Sequence, residues 1–175
     1  MAAAALSAFS ARAEKADQGK PTEVEANRMT SDEARRISIF EGKVVLRKGT
    51  MELRAERVVL RQDADGFVYA SATGAPVQFR QKSDPRGSQE GVWVEAQAAR
   101  VEIDEKNERV ELFENAQVVR EKDEVRGSYI LYDQRSEFFS VSNAKGAPGS
   151  RVTATIQPKK PEAPAPAPRK PEARK

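Results

Sequence analysis

The chain is predicted to be all-β and built from repeated antiparallel strand pairs, and three observations predict it. A strand pattern occurs three times, beginning Gly42-Lys43-Val44-Val45-Leu46-Arg47, Gly74-Ala75-Pro76-Val77-Gln78-Phe79-Arg80 and Asn115-Ala116-Gln117-Val118-Val119-Arg120. Each copy leads into a second element whose apolar residues step by two to a small residue and resume out of phase: Met51/Leu53/Ala55 then Val58/Leu60, Val92/Val94/Ala96 then Ala99/Val101/Ile103, Val125/Gly127 then Ile130/Tyr132. Turn chemistry separates the runs, and no apolar stripe of helical period competes with them over a useful length. Recurrence on this scale means one supersecondary unit used several times.

The expected strands, in order, are 22–29, 35–40, 43–48, 50–55, 57–62, 66–71, 76–82, 91–96, 98–104, 108–113, 116–121, 123–127, 128–133, 136–141 and 151–156. Period two places the apolar side chains on one face and turns Arg54, Glu56, Glu95, Glu102, Arg126 and Ser128 to the other. The phase slips after Ala55, Ala96 and Gly127 read as β-bulges, because one surplus residue returns the following side chains to the same face. Reversals are expected at Lys48-Gly49, Asp65-Gly66, Asp84-Pro85-Arg86-Gly87, Glu105-Lys106-Asn107 and Gly146-Ala147-Pro148-Gly149, whose backbones favour turning. Ser31–Arg36 reads as a single helical turn. Many short strands at even spacing fit an antiparallel sandwich, roll or barrel.

A length of 175 residues is one domain's worth, and 33% charged against 38% apolar residues suits thin sheets with one solvated face. Cysteine and histidine are both absent, which removes disulfides, thiolate or imidazole metal ligands and any Ser-His or Cys-His nucleophilic centre. A two-carboxylate hydrolase remains a distant third reading, since the acidic residues alternate with basic ones on the wet face. No enzymatic activity, cofactor or metal is expected.

The ends differ from the middle. Residues 1–13 are alanine-rich with Leu6 and Phe9 and end Ala11-Arg12-Ala13, which resembles the apolar core and cleavage site of a truncated signal peptide. Residues 14–20 read as a linker and 21–157 as the folded domain. From Pro158 to Lys175 six basic residues face two acidic ones and no aliphatic exceeds alanine, so a disordered tail is expected. That tail carries +4 of a formal net charge of +3 and leaves the remainder at −1. With the net positive charge in the tail and the aromatics mostly at turns or on the apolar face, no nucleic-acid partner is expected.

Five strings taken together resemble a known family: Pro21-Thr22-Glu23-Val24-Glu25-Ala26-Asn27-Arg28, Phe40-Glu41-Gly42-Lys43-Val44, Leu53-Arg54-Ala55-Glu56-Arg57-Val58-Val59-Leu60, Gly74-Ala75-Pro76-Val77-Gln78-Phe79 and Val125-Arg126-Gly127-Ser128-Tyr129-Ile130. Their order and spacing are similar to the LptA/OstA-like lipopolysaccharide-transport proteins, with Asn27 standing where aspartate is usual. The resemblance implies an open, twisted antiparallel β-jelly roll, V-shaped in section, around an apolar groove. It also implies a periplasmic location and a bridge, stacked end to end as a homo-oligomer, between an inner-membrane-anchored LptC-like protein and the periplasmic domain of an LptD-like outer-membrane protein.

By that resemblance, lipopolysaccharide contacts carry over onto Val24, Thr22, Phe79, Val101 and Ile103. The alternation of the sequence itself adds Phe40, Leu53, Val94, Val125, Ile130 and Tyr132 to the inner face. A core reading of each remains open, because a groove lining and a sandwich core look alike in sequence. The leading function is therefore a carrier passing lipopolysaccharide from inner to outer membrane. The alternative is an OstA-like scaffold module that binds protein partners by edge-strand pairing and carries no lipid.

Overall fold

The computed structural model describes residues 17, 19–83, 90–133, 135–136, 138–143 and 151–157. The predicted signal segment, the tail from Pro158, and the turns at 84–87 and 146–149 lie outside them. The strands are β1 (Glu23–Glu25), β2 (Arg28–Asp32), β3 (Ile37–Lys48), β4 (Met51–Gln62), β5 (Val68–Lys82), β6 (Trp93–Asp104), β7 (Arg109–Arg120), β8 (Asp123–Asp133), β9 (Phe138–Ser142) and β10 (Thr153–Thr155). All pair antiparallel in one ten-stranded sheet of order β1-β3-β4-β5-β6-β7-β8-β10. Two short strands lie off this path, β2 on β3 and β9 on β8.

Pairs of predicted strands are thus single long strands, each broken in register near its middle. The breaks fall between Glu41 and Val44, Arg54 and Arg57, Thr73 and Val77, Gln97 and Arg100, and Phe113 and Ala116. Lined up across the sheet, they form a crease dividing it into two arms. One, the Leu53 arm, holds β1 and β10 at its edges; the other, the Val101 arm, holds β2 and β9.

The crease refines the sequence reading. The slip in β6 falls after the buried Ala98 rather than after Ala96. The surplus residues belong to the neighbouring strands: Gly42 and Lys43 stand opposite Glu56, Glu114 and Asn115 opposite Ser128. Gly42, Lys43, Glu114 and Asn115 all take positive φ, between 49° and 80°. At Gly42 (φ 80°) a methyl group would also lie 2.6 Å from Asn27 Nδ2, so the residue that opens the first repeat is glycine for two reasons. Ser31 and Asp32 belong to β2 rather than to a helical turn.

Folding at the crease brings both concave faces into one core. Leu53, Val58, Val77, Val101 and Ile130 are at most 1% exposed, which one face of a single sheet cannot achieve unless another layer covers it. The arms supply that layer to each other. Within the 14–20 segment, Asp17 is buried: its carboxylate accepts from the Thr50 backbone N–H at 2.9 Å and the Thr50 hydroxyl at 2.6 Å, tying the chain across the β3–β4 turn.

Candidate functional site: the inner face of the folded sheet

Residues directly opposite in an antiparallel ladder share a face. On the Leu53 arm one cross-strand row reads Val24, Leu46, Leu53, Phe79, Ala96, Val118, Val125, Ala154. On the Val101 arm the corresponding row reads Met29, Phe40, Val58, Ala72, Val101, Leu112, Ile130, Val141. Both rows are apolar at every position and run from one sheet edge to the other, roughly 35 Å at about 4.8 Å per strand. A second row on the Val101 arm, nearer the strand ends, includes Leu60, Ala70, Ile103, Val110, Tyr132 and Phe139.

The eleven predicted site residues divide by burial. Leu53, Val101, Ile130, Val125 and Phe40 are buried between the arms, none more than 8% exposed. Val24, Phe79 and Ile103 are partly buried against that core. Val94 and Tyr132 are also half-buried, and Thr22 is exposed just ahead of β1. Met51, Ala96, Val118, Phe139 and Val141, absent from the predicted lipid contacts although the alternation puts Met51 and Ala96 on the apolar face, are partly buried on the same face. Cross-strand pairing adds what alternation could not, that Ala96 sits opposite Phe79 and Val118 opposite Ala96.

The outer faces are charged and neutralised locally. Glu52 lies between three guanidinium groups, those of Arg54 at 2.9 Å, Arg47 at 3.3 Å and Arg80 at 3.3 Å. The hydrogen bond from Arg54 is the main reason its carboxyl is held below the usual carboxylate range. The outer face of the Val101 arm departs from the expected confinement of aromatics to turns and the apolar side. There Tyr69 and Tyr129 hydrogen-bond Glu102 and Glu111, and Arg100 stacks 3.8 Å from the Phe113 ring centroid. Burial, then those carboxylates, push both phenols up to about 12.

Two depressions flank the described residues of the sheet, and both have largely polar linings. A depression of about 380 Å³ lies on the outer face of the Leu53 arm beside Glu52, Arg54, Gln78, Arg80 and Glu95. Another of about 420 Å³ lies at the ends of β2–β4, beside Ser31, Arg36, Ser38, Leu60 and Arg61. The centre of the inner face is filled by the protein's own side chains.

A single creased sheet with a greasy inside, a charged outside and unclosed edges defines an apolar-trough β-roll rather than a closed barrel. The chain belongs to the family described as LptA/(LptD N-terminal domain) LPS transport protein, whose profile matches residues 23–138. It is 28% identical over 162 residues to the lipopolysaccharide export system protein LptH of Pseudomonas aeruginosa, covering 90% of each chain. It is 29% identical over 161 residues to the lipopolysaccharide export system protein LptA of Haemophilus influenzae, covering 90% of this chain and 89% of that one. The crystal structure of LptH from Pseudomonas aeruginosa, described as the LptA-homologous periplasmic component of the lipopolysaccharide transport device, superposes with a TM-score of 0.71 at 26% identity. That superposition covers 81% of this chain and 99% of LptH.

Proposed function

We propose that this chain is a periplasmic carrier that shields the acyl chains of lipopolysaccharide between its two arms and hands the lipid on towards the outer membrane. The observation that carries this reading is the pair of inner rows that remain apolar from one sheet edge to the other. A lipid moving along them meets similar surface at every strand, and each buried CH₂ contributes roughly 0.8 kcal/mol. Movement then needs no bond chemistry. The partly buried residues Val24, Phe79, Val94, Ile103 and Tyr132 are the lipid contacts closest to solvent, and the buried ones become contacts as the arms part.

Handing on requires neighbours. Among the described residues β1 and β2 leave one edge of the sheet unpaired, and β9 and β10 leave the other. Exposed apolar residues sit at both edges, Met29 on β2, Phe138 on β9 and Ile156 beside β10. Strand addition there would continue the rows into a second copy of this chain, an LptC-like protein or the LptD-like periplasmic domain.

The packed interior is also what the scaffold alternative expects, and one experiment separates the two. Purified protein is titrated with lipopolysaccharide while Trp93 fluorescence is followed, with equal amounts of the lipid-free core oligosaccharide as control. Saturable binding of the lipid alone supports the carrier; no binding by folded protein that still pairs with its partners supports the scaffold.

A further inference from the structure

Among the described residues, one ion pair bridges the mouth of the trough between the free ends of the two arms. Lys48 ends β3 on the Leu53 arm, and its side chain shares the inner face with the buried Val44 and Leu46. Glu105 follows β6 on the Val101 arm, two residues beyond the inner-face Ile103. Counting from the crease, Lys48 lies about 13 Å out along one arm and Glu105 about 17 Å out along the other, at roughly 3.3 Å per residue. The two are 57 residues apart in sequence, yet Lys48 Nζ donates to Glu105 Oε1 at 2.9 Å. The lips therefore meet at this point.

Both partners are held in place. Glu105 Oε2 accepts from the Val68 backbone N–H at 3.1 Å, and the Glu105 N–H donates to the Val68 carbonyl at 3.1 Å, fixing the carboxylate to the start of β5. Lys48 and Glu105 side chains are 20% and 34% exposed, so the pair is shielded more than a surface salt bridge but remains within reach of a ligand at the mouth. An amphiphile with its chains inside and its headgroup outside must pass through this line, and a bridge across the line blocks it.

We propose that Lys48 and Glu105 latch the mouth of the trough, and that Lys48 exchanges Glu105 for an anionic phosphate of the lipid headgroup when acyl chains enter. The exchange replaces one charge-assisted hydrogen bond with another, so opening does not leave the ammonium unpaired at the edge of an apolar interior. The proposal rests on the carrier reading and assigns a polar contact that the apolar rows do not supply.

The test uses the full chain, Glu105→Gln and Lys48→Met, with phosphorylated lipid A and dephosphorylated lipid A as probes. The amide at position 105 retains an acceptor for the Val68 N–H, and far-UV circular dichroism checks that each variant keeps its β spectrum. Spin labels at Ala64→Cys and Lys122→Cys, one on each lip, report the opening without lipid.

Both latch variants should broaden the inter-lip distances, and Glu105→Gln should bind both lipids about fivefold more tightly, the ratio expected for losing one partly buried ion pair from the closed state. Lys48→Met should lose the preference for phosphorylated over dephosphorylated lipid A that the unsubstituted chain shows. Unchanged distances and unchanged lipid preference in variants of a lipid-binding chain overturn the latch alone. If the unsubstituted chain and Glu105→Gln both bind neither lipid, the carrier reading falls and the latch proposal with it.

Discussion

Phe79→Asp and Val101→Asp should fail in different ways, because the two residues share the inner face but differ in what covers them. Phe79 lies between Leu53 and Ala96 in its row and is only partly buried, so replacing it removes part of one aromatic contact from the fold. That loss is about 1–2 kcal/mol, small against the roughly 5–15 kcal/mol of a typical domain. For lipid the loss is larger. A phenyl ring covers about three methylenes at roughly 0.8 kcal/mol each, so removing it weakens binding by about 50-fold before the cost of a carboxylate facing hydrocarbon is added.

Val101 is 0% exposed between Ala72 and Leu112, and a carboxylate there has neither water nor a cation to meet it. That penalty is at least several kcal/mol, comparable with the whole stability. Thermal melting by circular dichroism and titration with lipopolysaccharide measure both quantities on the same samples. Phe79→Asp should melt within a few degrees of the unsubstituted chain and bind at least about 50-fold more weakly. The reasoning is refuted if folded Phe79→Asp binds normally, or if Val101→Asp melts where the unsubstituted chain does.

Gly42→Ala should destabilise by about 1–3 kcal/mol, since the new methyl meets Asn27 Nδ2 at 2.6 Å and φ is +80°. Gly42→Ala with Asn27→Ala should recover the steric part and not the backbone part in a denaturant titration. Asp17→Ala removes the acceptor for the Thr50 N–H and hydroxyl and should cost about 1–3 kcal/mol; limited proteolysis should cut the N-terminal segment faster while the sheet stays resistant. Tyr69 and Tyr129, raised from 10.0 to about 12, favour the neutral phenol in the folded chain. Their contribution to stability is therefore fully present below pH 10, and it is lost as pH rises through about 12. Phenolate absorbance should show both titrating late in the folded chain, and ordinary titration there would contradict the burial that causes the shift.

The inner face was legible because period two is a local property: the alternation at Leu53, Val125 and Ile130 turns them to one face without knowledge of which strand pairs with which. The crease was legible for the same reason, as a phase slip near Ala55 and Gly127. Its chemistry was not, because a slip in one strand does not say which neighbour carries the surplus residues, here Gly42-Lys43 and Glu114-Asn115.

Burial escaped the sequence altogether. Val101 and Ile103 read identically along β6, yet Val101 is covered by the facing arm and Ile103 lies nearer the lip. That difference is set by how far each residue stands from the crease in three dimensions. Asp17 at the β3–β4 turn and Lys48 beside Glu105 are likewise contacts between distant parts of the chain, with no periodic signal to announce them. The Tyr129 and Phe113 pair, 5.1 Å between ring centroids on the outer face, shows the converse. An aromatic residue in a one-faced sheet faces outward when a carboxylate or a guanidinium there gives it a partner.

Site-specific photocrosslinking tests the central claim most directly. A photoreactive residue is placed at Phe79 and at Ile103, one on each arm of the inner face, and at Arg54 on the outer face, and each protein is irradiated with lipopolysaccharide. The carrier account predicts lipid adducts at Phe79 and Ile103 and none at Arg54. Folded protein with no adduct at either inner position, or with Arg54 labelled as strongly as both, would contradict it.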